Sequence, residues 1–108
     1  MALYLSEITF ASSAMATLIQ NPQNRAEAIR PMFEAVGGQL HDYYVAVGSN
    51  TVYIIGDVPD QASLVAIATA ALASGSISSI KSTPIVTAED AVEMFRKAGS
   101  VGYRPPST

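Results

Sequence analysis

His41 is the only histidine in the 108 residues of the chain. Histidine is the side chain whose ordinary pKa lies near neutrality, so a general acid or base step would use it first. Asp42 follows it directly on what reads as a strand. Alternation then sends the two to opposite faces, and an acid that orients His41 has to come from elsewhere. Asp57 is the second catalytic candidate, because it lies inside the apolar run "TVYIIGDV", where burial would raise its pKa and make it a base. The plainer alternatives are a solvent-facing His41 at a strand start and an Asp57 that simply ends a strand.

Tyr4, Tyr43, Tyr44 and Tyr53 all fall in predicted strands. A buried tyrosine hydroxyl needs a partner, and in a pocket that partner can be a ligand oxygen. Spaced two apart, His41 and Tyr43 would share a face and line one cavity with Tyr4 or Tyr53 from neighbouring strands. Ser6 and Asn50 add polar contacts to this substrate-binding set, with a structural use in strand and turn as the alternative. Tyrosine is also a good strand former, so at least two of the four are expected to be packing. Arg25 and Arg30 read as solvated helix charges, with a carboxylate clamp as the other reading.

The composition removes several classes of chemistry. With no cysteine and a single histidine, neither a thiolate nucleophile nor the usual zinc sites can be built, and no metal or cofactor is assigned. A net charge of −3 argues against a nucleic-acid partner, which calls for a basic stripe. The start "MALYLSEITF" lacks a basic region ahead of an apolar core, and the longest apolar run, "LVAIATAALA", is too short for a bilayer. A cytoplasmic protein with no membrane partner is the expectation.

The elements that would position these residues follow from periodicity. "ALYLSEITF" is a first strand; helical spacing begins at Ser12 or Ser13, breaks at "QNPQN", and resumes in a longer helix that Asn21 and Pro22 start, Pro31 bends and Gly37-Gly38 ends. "QLHDYYVAV" and "TVYIIGDV" form a hairpin about Gly48, Ser49 and Asn50. A helix opened by Pro59-Asp60 and closed by Gly75 comes next, then the strand "SISSIKSTPIV", in which Pro84 belongs at an edge or near an end. "TAEDAVEMFRKAG" is a last helix with Thr87 and Asp90 as its capping pair.

The order is β-α-β-β-α-β with an extra C-terminal helix, an α+β, ferredoxin-like arrangement with a four-stranded antiparallel sheet. Residues 1–99 make one domain, and the tail 100–108 is loose or laid against a partner. Both faces of the strands carry apolar residues: Val52, Ile54 and Val58 on one side of the third, Tyr53 and Ile55 on the other. A second copy of the same sheet would cover the face the helices leave open, giving a homodimer.

From Ala2 to Gly99 the chain resembles the GYD-domain family of the dimeric α/β-barrel superfamily. The resemblance rests on "MALYLSEITF", the break at Asn21-Pro22, "EAVGGQL", the strand pair ending "VPD", "ASGSISSIKSTPIVT" and "AEDAVEMFRKAG". Of the motif that names the family, Gly48 is present, but Asn50 and Thr51 stand where its tyrosine and aspartate would fall; Pro59 and Asp60 are kept. This marks a divergent member, similar to RedY-like accessory proteins of pigment and antibiotic biosynthesis. The resemblance implies a dimeric barrel whose relatives include cofactor-free monooxygenases, cyclases and decarboxylases.

The resulting expectation is a homodimer that binds a small apolar, aromatic or acyl metabolite in a tyrosine-lined pocket between sheet and helices. It would act as a cofactor-free catalyst of proton transfer, condensation or cyclisation, or as an accessory protein of secondary metabolism. A non-catalytic binding or interaction module and a cofactor-free monooxygenase are the alternatives.

Overall fold

The computed structural model describes residues 1–107 of the chain. The elements are β1 (Ala2–Phe10), α1 (Ser12–Gln20), α2 (Arg25–Ala35), β2 (Gln39–Val45), β3 (Thr51–Val58), α3 (Gln61–Ala73), β4 (Ile77–Ile85) and α4 (Ala88–Gly99). The strands pair antiparallel in the order β2-β3-β1-β4, the arrangement of the ferredoxin-like fold. Pro84 lies in the edge strand β4, opposite Tyr4, where a missing backbone N–H costs little.

Local chemistry sets most element ends. Thr87 accepts from the Asp90 amide at the start of α4, and Asp60 accepts from both the amide and the hydroxyl of Ser63 at the start of α3. The two Ser63 hydrogen bonds hold the Asp60 carboxyl below its usual range. The start of α2 differs from the sequence reading. Asn21 ends α1, and Asn24, three residues on, caps α2 by accepting from the Ala26 amide. α2 then runs on through Pro31 to Ala35.

Helices α2 and α3 cover one face of the sheet. Phe33 from α2 meets Leu40, Ile54 and Val58 in the buried core, with Ile29, Leu64 and Ile67 packed against it. A Cβ at Gly56 would fall 2.6 Å from Cε1 of Phe33, so the absence of a side chain on β3 is what lets this ring lie against the sheet. The register places Ser6, Ile8 and Phe10 of β1, and Ile80 and Ser82 of β4, on this helix-covered side.

The opposite face has no cover from the chain itself. Alternation puts Leu3, Leu5, Tyr53, Ile55 and Ile85 there, interspersed with Glu7, Asp57 and Lys81. α4 has no substantial packing against any other element. Val92, Met94 and Phe95 on it, and Val101 and Tyr103 in the tail, stand exposed. Residues 102–107 of the tail have no regular structure, and Thr108 lies outside the described residues. The radius of gyration, 17.3 Å, exceeds the roughly 13 Å of a compact chain this long, as expected when a helix and tail extend from the body.

Candidate functional site

A bulge in β2 decides where the candidate catalytic residues sit. Leu40 pairs with Gly56 and Asp42 with Ile55, which leaves His41 as the extra residue without a register partner. The slip changes the parity of the strand. Leu40 and Tyr43 therefore lie on the helix-covered side, whereas Asp42 shares the open side with Ile55 and Asp57.

His41 turns to the open side as well, where its Nε2 lies 2.9 Å from Oδ2 of Asp57. Two sequence expectations are corrected by this geometry. Asp42 is not sent to the face opposite His41, and His41 and Tyr43 do not share a face, although both line the outer groove. The acid that orients His41 comes from the neighbouring strand, and it is the second catalytic candidate, Asp57. Its other oxygen, Oδ1, is buried with no hydrogen-bond partner. Gly38 makes room behind this pair, since a Cβ there would fall 2.2 Å from the Asp57 carbonyl oxygen.

The tyrosines do not converge. Tyr4 packs against the core, while Tyr44 and Tyr53 are exposed on the open face. Tyr44 reaches only a long 3.5 Å contact with Asp42. Tyr43 is half-buried; burial raises its hydroxyl pKa, and the nearby Arg25 guanidinium works against that rise. Asn50 serves the fold. Its side-chain amide donates to the Phe10 carbonyl at 2.9 Å, and its own carbonyl accepts from the Phe10 amide, so it ties the hairpin to the end of β1.

Cavities on the helix-covered side include two that the candidate residues line. One, of about 240 Å³, is a partly open inner cavity between the sheet and helices α2 and α3, with mostly apolar walls that include Ile8, Ile54, Leu64 and Ile80. Its polar floor is Ser6 and Ser82, whose hydroxyls hydrogen-bond at 2.8 Å across β1 and β4. The other is a more open groove of about 500 Å³ between the α1–α2 connection and β2, reached by Tyr43, Asn24 and Arg30. Arg25 contributes to the walls of both.

Of the expected site residues, the structure brings His41 and Asp57 into hydrogen-bond contact, lets His41, Tyr43 and Asn50 all line the outer groove, and places Ser6 in the other cavity. Sequence reasoning missed Ser82 and the position of Arg25. Ser82 carried no usable signal, since Ser78, Ser79, Lys81, Ser82 and Thr83 put polar groups on both faces of "ISSIKSTPI", and its partner Ser6 is 76 residues away in the chain.

Among the described residues there is no cluster of three or more histidine, aspartate or glutamate side chains suited to a metal ion. No helix among them is long and apolar enough to cross a membrane. Compared with known families, the chain matches the family model of the GYD domain over residues 4–95. No curated protein and no solved structure matches it.

Proposed function

The chain belongs to the GYD-domain family, a family of small α/β domains of the dimeric α/β-barrel type, and from that premise we propose that it is a cytoplasmic, homodimeric binding protein for a small aromatic or acyl metabolite. The observation that carries this reading is the inner cavity of about 240 Å³ with the Ser6–Ser82 hydroxyl pair in mostly apolar walls. Ligand sites combine mostly apolar walls with a few convergent polar groups that fix orientation. An apolar cavity of about 150 Å³ is enough for benzene, so this one suits a single ring with a short substituent.

The homodimer is supported by three apolar surfaces that the chain leaves bare. Leu3, Leu5, Tyr53 and Ile55 make a patch on the open sheet face, α3 keeps Val65 and Leu72 exposed, and α4 exposes Val92 and Phe95. Patches of this kind on one small domain mark interfaces. A second copy covers the sheet with its own sheet at the usual face-to-face spacing and gives the apolar stripe of α4 a surface to pack on.

A second reading, a cofactor-free enzyme, is favoured by the His41–Asp57 hydrogen bond with its unpartnered buried oxygen. In that reading His41 moves a proton on a substrate held at the sheet interface, oriented by Asp57. The pair lies across the sheet from the inner cavity, so that cavity serves binding and not this step.

The binding reading is tested with phenol as the probe, measured by calorimetry and by crystallography of the complex. Saturable binding with the ring between sheet and helices, abolished by Ala71→Phe in the cavity wall, is expected. A dry, closed core in the crystal and no saturable binding would refute it.

A further inference from the structure

The geometry points to Arg25 as the anchor for a carboxylate, which makes the ligand of the inner cavity an aryl or acyl carboxylic acid; this rests on the proposed binding reading. Arg25 is the one charged residue in the walls of that cavity, and it also lines the outer groove, so it stands where the two meet. Its guanidinium has no carboxylate partner among the described residues. Its one side-chain hydrogen bond is Nη1 donating to Oε1 of Gln23 at 2.9 Å, and the ion pairs present are His41–Asp57 and Arg96–Glu93. Four of its five N–H donors therefore remain for a ligand.

The surroundings favour an anion at this point. Arg25 is only partly exposed, so its charge is less screened than that of a free surface arginine. Arg30 lines the same groove as a second cation, and Asp42 is the one acid against these two. The Tyr43 hydroxyl stays protonated well into the alkaline range because burial raises its pKa, and it is a donor beside the same guanidinium. The planar fork of arginine matches a carboxylate with two parallel hydrogen bonds, which a neutral ligand cannot reproduce. The ring then lies over Ser6 and Ser82, and the acid group faces outward onto Arg25.

The test compares 3-phenylpropionate with its neutral amide, 3-phenylpropionamide, by calorimetric titration of the full chain at low salt. The acid is expected to bind the wild-type protein roughly 10- to 100-fold more tightly than the amide, the span of a charge-assisted hydrogen-bonded pair. Arg25→Gln removes the preference by bringing the acid down to the amide, and Arg25→Lys retains part of it. Equal affinities of acid and amide in the wild type overturn the inference while leaving the cavity reading intact. So does a preference that survives in Arg25→Gln. Failure of both probes to bind overturns the cavity reading and the inference together.

Discussion

Replacing Gly56 by alanine tests the packing that shapes the cavity wall. The new Cβ would lie 2.6 Å from Cε1 and 3.0 Å from Cζ of Phe33, and 3.1 Å from the Gln39 carbonyl oxygen. Gly56 has no left-handed φ, so alanine fits the backbone and the conflict is purely steric. The Phe33 ring is only 5% exposed and sits among Leu40, Ile54 and Val58, so it cannot swing away without disturbing three buried neighbours. Overpacking of this kind costs about 1–3 kcal/mol, partly offset by about 0.4–1 kcal/mol because alanine restricts the unfolded chain. A net loss of about 1–2 kcal/mol is expected, which lowers the melting temperature by roughly 5–15 °C in a domain of this size. The assay is urea and thermal denaturation at matched protomer concentration, since dimerisation would make stability depend on it. The same substitution made in a Phe33→Ala background meets no ring, only the Gln39 carbonyl, and should cost clearly less. Wild-type stability for Gly56→Ala, or an equal loss in both backgrounds, would refute the assigned contact.

Further outcomes follow from the same structure. Tyr43 is neutral when protonated and its folded pKa is raised above the ordinary value, so its contribution to stability is complete below the unfolded pKa and is lost as pH rises through the folded one. Tyr43→Phe should flatten the alkaline decline in stability, and Arg25→Gln should push the tyrosinate absorbance titration still higher; a lower midpoint in Arg25→Gln contradicts the proximity of the two groups. His41→Ala removes the side-chain donor to Asp57, whose Oδ1 is already unpartnered, and is expected to cost about 1 kcal/mol or less at this partly exposed pair, read by urea denaturation. Asp57→Asn, which keeps a hydrogen-bonding group, should cost less. In the proposed dimer, Tyr53→Asp on the open sheet face should yield monomers by light scattering. Phe95→Asp, on a side chain 73% exposed in its own chain, should weaken dimerisation without loss of intrinsic protomer stability, and unchanged dimerisation in both variants would count against the apolar-face argument.

The order of elements was legible in the chain because its signals are local. Alternation in "ALYLSEITF", the Thr87 and Asp60 caps, Gly48 in the hairpin turn and Pro84 in an edge strand each act over a few residues, and the structure keeps all of them. The α2 start was misplaced by three residues because Asn21 and Asn24 are both capping residues in the same break, and only the helix geometry selects between them.

The site was legible only in part, and the bulge at His41 is the reason. A side-chain period of two assigns every residue of β2 to a face until one residue drops out of register, and then all later assignments invert. Nothing within "QLHDYYV" marks that slip, because it is fixed by how β2 pairs with β3. Tertiary pairing thereby joined His41 to Asp57, turned Tyr43 to the helices, and set Ser82 against Ser6 across the sheet. Residue types, caps and the bare apolar faces were determined by the sequence itself; which polar groups meet depended on strand register, a property of two segments distant in the chain.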